Sequence, residues 1–327
     1  MRYTIIATLG PASAQAEQWS ALLDAGVSAF RLNTSHLTLD ALSRWLQSLD
    51  DFSRRRGEQT PLILDLQGSK WRLGRFEPLV LNPGDSVVLI HSAEAIEPGT
   101  LPVPHADFFR AALRSSGRIS INDARSVLAV ESVGDDRVVA RVVAGGTVSP
   151  RKGITFVDSD YRLEVLNEAD RLAVDLTASL DEIRYAVSYV RDGHEMERYR
   201  DLLGKDRHLI AKLERPQAIA EADRVAAASD ELWLCRGDLG AEIGLRAMAE
   251  TVHRFAAGLS SLSVPALLAG QVLEHMNDHP LATRAELCNL YDALAAGFSG
   301  VVLSDETAIG RFPAESCRMA ALFRRSN

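Results

Sequence analysis

Between His208 and Gly240 the chain reads HLIAKLERPQAIAEADRVAAASDELWLCRGDLG, and this stretch restricts the fold more than any other. Leu209, Ile210 and Ala211 form a short apolar run that delivers Lys212 and Glu214. A helical pattern follows from Pro216 to Ala228, and a second run, Leu232 to Cys235, delivers Arg236, Gly237 and Asp238. Strand, helix and strand make a βαβ unit, whose crossover sets the two strands parallel, with their C-terminal ends at one edge of a sheet. Lys212 and Glu214 alternate with Leu213, so on extended backbone they face the same side. An amine, two carboxylates and a guanidinium thus meet where α/β sheets and barrels bind ligands. Glu214 and Asp238 are placed to share one divalent ion, and Lys212 and Arg236 to hold an anion beside it. Oxygen donors of this kind suit Mg²⁺. Two strand-end ion pairs without a ligand are the plainer reading.

The same alternation runs through the rest of the chain. Tyr3–Thr8 reads as a strand, and Ser13 as the cap of a helix that Gly26 closes. Val27–Leu32 and Pro61–Leu64 are the second and third strands, with a helix over Leu39–Phe52 between them. From about residue 75 to 152 the pattern changes to short alternating runs with turns between them. Gly134-Asp135-Asp136-Arg137, for example, sits between Val127–Val133 and Val138–Val143. Strand and helix alternation then resumes. Leu172–Leu176 reads as the fourth strand, ending at Thr177-Ala178-Ser179, with Asp181–Tyr189 helical after it. The opening βαβ unit supplies strands five and six, Val264–Ala269 strand seven and Val301–Leu303 strand eight. Eight such units predict a (β/α)8 TIM barrel over residues 1–74 and 153–327, with a small β-rich lid domain, 75–152, inserted after strand three. An open doubly wound sheet is the alternative.

A net charge of −8 argues against nucleic acid as a partner. The three cysteines lack pairing or metal-ligand spacing, as expected in a reducing compartment. No leader or bilayer-spanning run is evident, so the expectation is a cytoplasmic protein away from membranes. His253, His275 and His279 have no ligand partner at metal spacing and read as surface or helix-end residues.

In order along the chain, Ile6-Ala7-Thr8-Leu9-Gly10-Pro11, Arg31-Leu32-Asn33-Thr34-Ser35-His36, Ala211-Lys212-Leu213-Glu214, Arg236-Gly237-Asp238-Leu239-Gly240, Thr283-Arg284-Ala285-Glu286 and Ser304-Asp305-Glu306-Thr307-Ala308 all lie at or near predicted strand ends. Together they resemble the pyruvate kinase family along nearly the whole chain. The resemblance implies phosphoryl transfer from phosphoenolpyruvate to ADP, giving pyruvate and ATP. Glu214 and Asp238 would hold Mg²⁺ or Mn²⁺. Lys212 and Arg31 would reach the phosphoryl group, and backbone amides near Gly237 and Asp238 would receive the substrate carboxylate. Asn33, His36, Arg72 and Lys152 would lie on the nucleotide side, and Asp123 would face the cleft from the lid. Many members bind K⁺ through oxygens like those of Asn33, Ser35 and Asp65 beside a glutamate. Lys70 stands at that glutamate's position, so the resemblance implies a K⁺-independent enzyme whose ammonium replaces the ion. The family's C-terminal domain has no counterpart here, which implies an absence of its usual regulation and leaves a homodimer through the barrel as the expected assembly.

Departures from the family pattern touch the pocket. Gly270 replaces a threonine of the substrate pocket, Asn289 and Asp292 exchange the family's Asp and Asn, and Asp305 replaces a glycine. The family's SFIR after strand four aligns with Ser179-Leu180-Asp181-Glu182, without the arginine. These changes keep two alternatives open: an enolate-forming lyase on a related substrate, and a catalytically weak phosphoenolpyruvate-binding module.

Overall fold

The computed structural model describes residues 3–68, 71–115, 117–122, 125–157, 166–180 and 182–324. Contacts divide the chain into two compact units, one of Met1–Gly68, Leu166–Arg236 and Thr251–Asn327, the other of Ser69–Val165 and Gly237–Glu250.

In the first unit, eight parallel strands close into a barrel. They are Thr4–Thr8, Ala29–Asn33, Leu62–Leu66, Ile183–Val187, His208–Leu213, Glu231–Cys235, Ala266–Ala269 and Gly300–Leu303. The first strand pairs with the second and also with the eighth, Thr4 opposite Gly300 and Ala7 opposite Leu303, which excludes the open sheet. Strands covered on both faces read as unbroken apolar runs, as in LILDL and ELWLC, where every residue is buried. Inside the barrel Ile6, Ile63, Ala186, Ile210, Trp233 and Val302 belong to one packed cluster. Thr38 caps the helix Leu39–Arg56, Gly57 ends it, and Arg54, Arg55 and Arg56 fill its last turn, where the helix dipole favours cations.

The fourth strand is not where the sequence suggests. Leu172–Leu176 lies inside a helix, Glu168–Thr177, and the strand is Ile183–Val187, within the stretch expected to be helical. Asn167 decides this: its side chain accepts from the Asp170 amide and starts the helix. Asp170, Ala173 and Thr177 then fall on one buried face at helical spacing. Leu172 and Leu176 are left exposed. Ser13 also differs. Its hydroxyl accepts from the Gly10 amide at 3.2 Å, and the following helix, Ala16–Asp24, starts at Gln15. Residues 216–228 form two short helices, Pro216–Ala220 and Ala222–Ala227, rather than one.

The second unit holds a six-stranded sheet in the order Ile154–Phe156, Arg118–Ile121, Ser126–Val133, Arg137–Ala144, Ser86–Ile90, Thr100–Pro102. Ser126–Val133 and Arg137–Ala144 form the expected hairpin. A short helix that the sequence reading lacks, Ala106–Ala112, buries Phe108 and Phe109. Phe108 stacks on Phe156 at 4.6 Å and meets Trp71 edge-on at 5.4 Å, so Trp71 is a core residue of this unit.

No helix among the described residues is long and apolar enough to cross a membrane. The barrel seam yields a first prediction. A Cβ on Gly300 would lie 2.0 Å from the Thr4 carbonyl oxygen, a backbone atom that cannot swing aside. Gly300→Ala should therefore destabilise the first unit by about 2 kcal/mol or more, read as a lower urea midpoint with unchanged slope.

Candidate functional site

The C-terminal ends of the first five barrel strands carry one connected polar cluster, centred on Asp65 in the third strand. Asp65 is 1% exposed. Arg31, from the second strand, donates Nε at 2.8 Å and Nη2 at 2.5 Å to Asp65 Oδ2, and Nη1 at 2.7 Å to Thr8 Oγ1. Thr8 Oγ1 in turn donates to the Leu303 carbonyl at 2.7 Å, tying the cluster to the eighth strand. Ser188, just after the fourth strand, donates to Asp65 Oδ1 at 3.0 Å. Lys212, in the fifth strand, lies 3.2 Å from each Asp65 oxygen, 2.8 Å from Ser188 Oγ and 3.0 Å from Glu214 Oε1. Glu214 Oε2 accepts from the Tyr189 amide at 2.6 Å. The alternation argument thus holds: Lys212 and Glu214 face one side and touch.

Burial alone would push the Asp65 carboxyl up, but Lys212 and Arg31 together hold it below the usual carboxylate range. Burial alone would pull the Lys212 ammonium down, but Asp65 and then Glu214 hold it well above the usual lysine range. Both groups are therefore charged throughout neutral pH, and each is the reason the other can be.

A second network lies after the seventh strand. Arg236 donates Nε at 3.0 Å and Nη2 at 2.7 Å to the Gly270 carbonyl, Nη2 at 2.8 Å to the Gln271 carbonyl, and Nη1 at 2.8 Å to Asn289 Oδ1. Arg236, expected to hold an anion beside Lys212, thus directs most of its donors to this loop and to Asn289. Gly270 and Gln271 have φ of +85° and +53°, and two consecutive left-handed residues are what turn both carbonyls toward one guanidinium. A threonine at 270 would be strained by its β-branch, so the glycine meets a backbone demand. Asn289 meets another, as an uncharged acceptor. Glu306 is buried and accepts from the Leu273 amide at 3.0 Å and the Ser304 amide at 2.7 Å, joining the loops after strands seven and eight. Burial pushes its carboxyl up.

The relocated fourth strand changes one comparison with the family pattern. Ser188-Tyr189-Val190-Arg191, not Ser179-Leu180-Asp181-Glu182, follows the strand, so an arginine stands at the fourth position after all. Asn33 caps a short helical turn, Thr34–His36, by accepting from the Ser35 amide at 3.1 Å, and His36 is exposed. Gly237 and Asp238 lie in the first turns of the helix Arg236–Ile243 and are assigned to the second unit. Arg72 and Lys152 are also in that unit, where Arg72 Nη1 donates to the Arg151 carbonyl at 3.3 Å and the Lys152 carbonyl accepts from Leu73. Lys70 and Asp123 fall outside the described residues. The hub itself was missed: Asp65 was read only as a cation ligand and Ser188 not at all. The available signal was a lone buried acid in an otherwise apolar strand, LILDL.

Comparison with known proteins agrees with this arrangement. The family model described as pyruvate kinase, barrel domain, matches residues 1–317. A pyruvate kinase of Methylorubrum extorquens is 34% identical over 96% of this chain and 66% of its own length. One of Aeropyrum pernix is 30% identical over 97% and 69%. The crystal structure of a pyruvate kinase from Cryptosporidium parvum superposes with a TM-score of 0.84 at 24% identity, over 98% of this chain and 68% of that one, a likeness of fold. The chain spans about two thirds of the length of these relatives.

The cluster generates a stability prediction. Asp65→Asn leaves two buried cations short of a counter-charge and should cost about 3–5 kcal/mol at pH 7. The folded Asp65 titrates below its usual range, so its contribution is present above the unfolded carboxyl value and is lost only in acid; that of Lys212 is lost only at strongly alkaline pH. The stability gap between Asp65→Asn and the parent, from urea unfolding, should therefore stay flat between about pH 5 and pH 8.

Proposed function

The chain belongs to the pyruvate kinase family, and from that premise we propose that it transfers a phosphoryl group between phosphoenolpyruvate and ADP, yielding pyruvate and ATP. The observation that carries this reading is the pair of buried cations, Arg31 and Lys212, held on one carboxylate at the C-terminal barrel end with Glu214 alongside. Phosphoryl transfer asks for fixed positive charge around the moving group more than for covalent help. Arg31 and Lys212 are fixed by Asp65 and so need no reorganisation when charge develops.

The cluster's four charges, Arg31 and Lys212 against Asp65 and Glu214, cancel. A dianionic phosphoryl group would therefore meet a neutral site and requires added positive charge. Glu214 and Asp238 are the carboxylates assigned to hold a divalent ion, which would supply that charge. The donors fit Mg²⁺: it commonly takes one or two carboxylates and completes its shell with substrate and water. Glu214 is 1% exposed, and its two oxygens meet Lys212 Nζ at 3.0 Å and the Tyr189 amide at 2.6 Å, so the carboxylate is held in place at the strand end. Gly237 and Asp238 amides would receive the substrate carboxylate. Asn33, His36, Arg72 and Lys152 would serve the nucleotide, with the β-rich segment 75–152 as the lid.

Independence from K⁺ belongs to the same proposal. Its support is Lys70 in the sequence and the full use of Asp65, whose oxygens already accept from Arg31, Ser188 and Lys212. The left-handed Gly270 weakens the reading of an enlarged lyase pocket, since backbone geometry accounts for the glycine. A cytoplasmic location and a homodimer are the accompanying expectations.

A coupled assay of pyruvate release tests all of this. Turnover should require phosphoenolpyruvate, ADP and Mg²⁺ together. Release without ADP, or none at all, would sink the proposal. Lys212→Met should lower kcat about 10²–10³-fold with little change in KM. Rates with and without K⁺ should agree for the parent, whereas Lys70→Glu should create a K⁺ requirement. A parent enzyme silent without K⁺ refutes the assignment of Lys70.

A further inference from the structure

The opposite end of the barrel has a feature that phosphoryl transfer does not use. A pocket of about 520 Å³ opens where the fourth and fifth strands begin, within the size range of small-molecule sites. Arg184 and His208 line it and are direct register partners across the two strands. Each stands two residues before a member of the barrel's inner cluster, Ala186 and Ile210, so both belong to the inward-facing set. Lys205 and Arg207 add two positive charges at the rim, against the exposed acids Glu182 and Asp206.

Neither inner side chain has a hydrogen-bond partner among the described residues. His208 Nε2 is shut off from solvent and has no hydrogen-bond partner among the described residues. The half-buried Arg184 guanidinium likewise has no hydrogen bond or ion pair among them. The carboxylate electrostatically coupled to Arg184, Glu231, spends Oε1 on Trp233 Nε1 at 2.5 Å. Asp230 is held by Arg200 at 2.7 Å and by the Leu209 amide at 2.8 Å. Arg207 is fixed in place by donating to the Leu180 carbonyl at 2.5 Å and to the Ala178 carbonyl. Burial, and then the charge of Arg184, pull the imidazole down to about 4, so at neutral pH His208 is an uncharged group beside a cation whose acidic neighbour, Glu231, is itself pushed up by burial. An anion seated against Arg184 would supply the counter-charge and change the field at the adjacent imidazole.

We propose that this pocket binds a small dianion, the phosphate of a phosphorylated metabolite or a dicarboxylate, with Arg184 as the direct donor, the His208 imidazole beside it and Lys205 steering from the rim. The site is separate from the catalytic end yet shares its scaffold: His208 begins the strand that carries Lys212, about 13 Å further along at strand rise.

Histidine-labelled protein gives a direct readout, because the chain has only 8 histidines and His208 can be assigned with His208→Gln. Titration with inorganic phosphate and, separately, malonate should shift the His208 imidazole resonance saturably with at least one of them. The phosphate and malonate arms distinguish the two sources. Arg184→Gln should weaken the response about tenfold, the worth of one charge-assisted hydrogen bond. Lys205→Glu, on the exposed rim, should weaken it severalfold without any demand on folding. Lys212→Met should leave it intact, which separates this pocket from the catalytic end. No shift up to about 50 mM of either anion, undiminished response in both rim and floor variants, or loss of response in Lys212→Met would each overturn the proposal.

Discussion

A single buried carboxylate organises the catalytic end of this barrel. Asp65 would be costly to ionise where it sits, and Arg31 and Lys212 would be costly to charge without it. Each group is tolerated because the others are present, and Ser188 and Thr8 take up remaining donors and acceptors. The cluster reaches across strands one to five and, through Thr8, to strand eight. Shifting any one of these strand ends would break a contact to a buried charge. The barrel's register and the placement of its two buried cations are therefore the same requirement stated twice.

The loop after strand seven follows a related logic with backbone groups. Arg236 gathers the Gly270 and Gln271 carbonyls and the Asn289 amide oxygen. Seen singly, a glycine in place of threonine and an asparagine in place of aspartate read as erosion of a pocket. Seen together they are one arrangement, in which a left-handed turn presents its carbonyls to the arginine and a neutral side chain completes its shell. Glu306 holds the neighbouring turn through two amides, so this side of the barrel is fixed by hydrogen bonds where the other is fixed by charge.

Much of this was legible in the sequence. The parallel βαβ unit and the meeting of Lys212 with Glu214 follow from alternation and crossover, and barrel closure from eight repeats of one pattern. The fourth strand was not legible, because Leu172–Leu176 has strand-like apolarity. A single cap at Asn167 and the burial of Asp170, which accepts from the Gln67 and Gly68 amides, decided for helix. That misplacement hid Arg191 at the position where an arginine appeared to be lost. The role of Asp65 was hidden for another reason. Its partners Arg31, Ser188 and Lys212 are scattered over some 180 residues, and only closure of the barrel brings them together. Ser13, expected to cap the next helix, accepts from the Gly10 amide instead, since local hydroxyl partners are nearly interchangeable in energy.

The pairing of Thr4–Thr8 with Gly300–Leu303 bears on how the chain is made. On the ribosome one of the first strand's two hydrogen-bonding edges has no partner until Gly300–Leu303 has been made, close to 300 residues later. For that interval a flat, apolar ribbon faces the crowded cell with its amides and carbonyls unclaimed, the condition under which chains pair wrongly with one another. Ring architecture thus defers safety until the eighth strand is made, and a chain that stopped shortly before Gly300 would be a persistent client for chaperones.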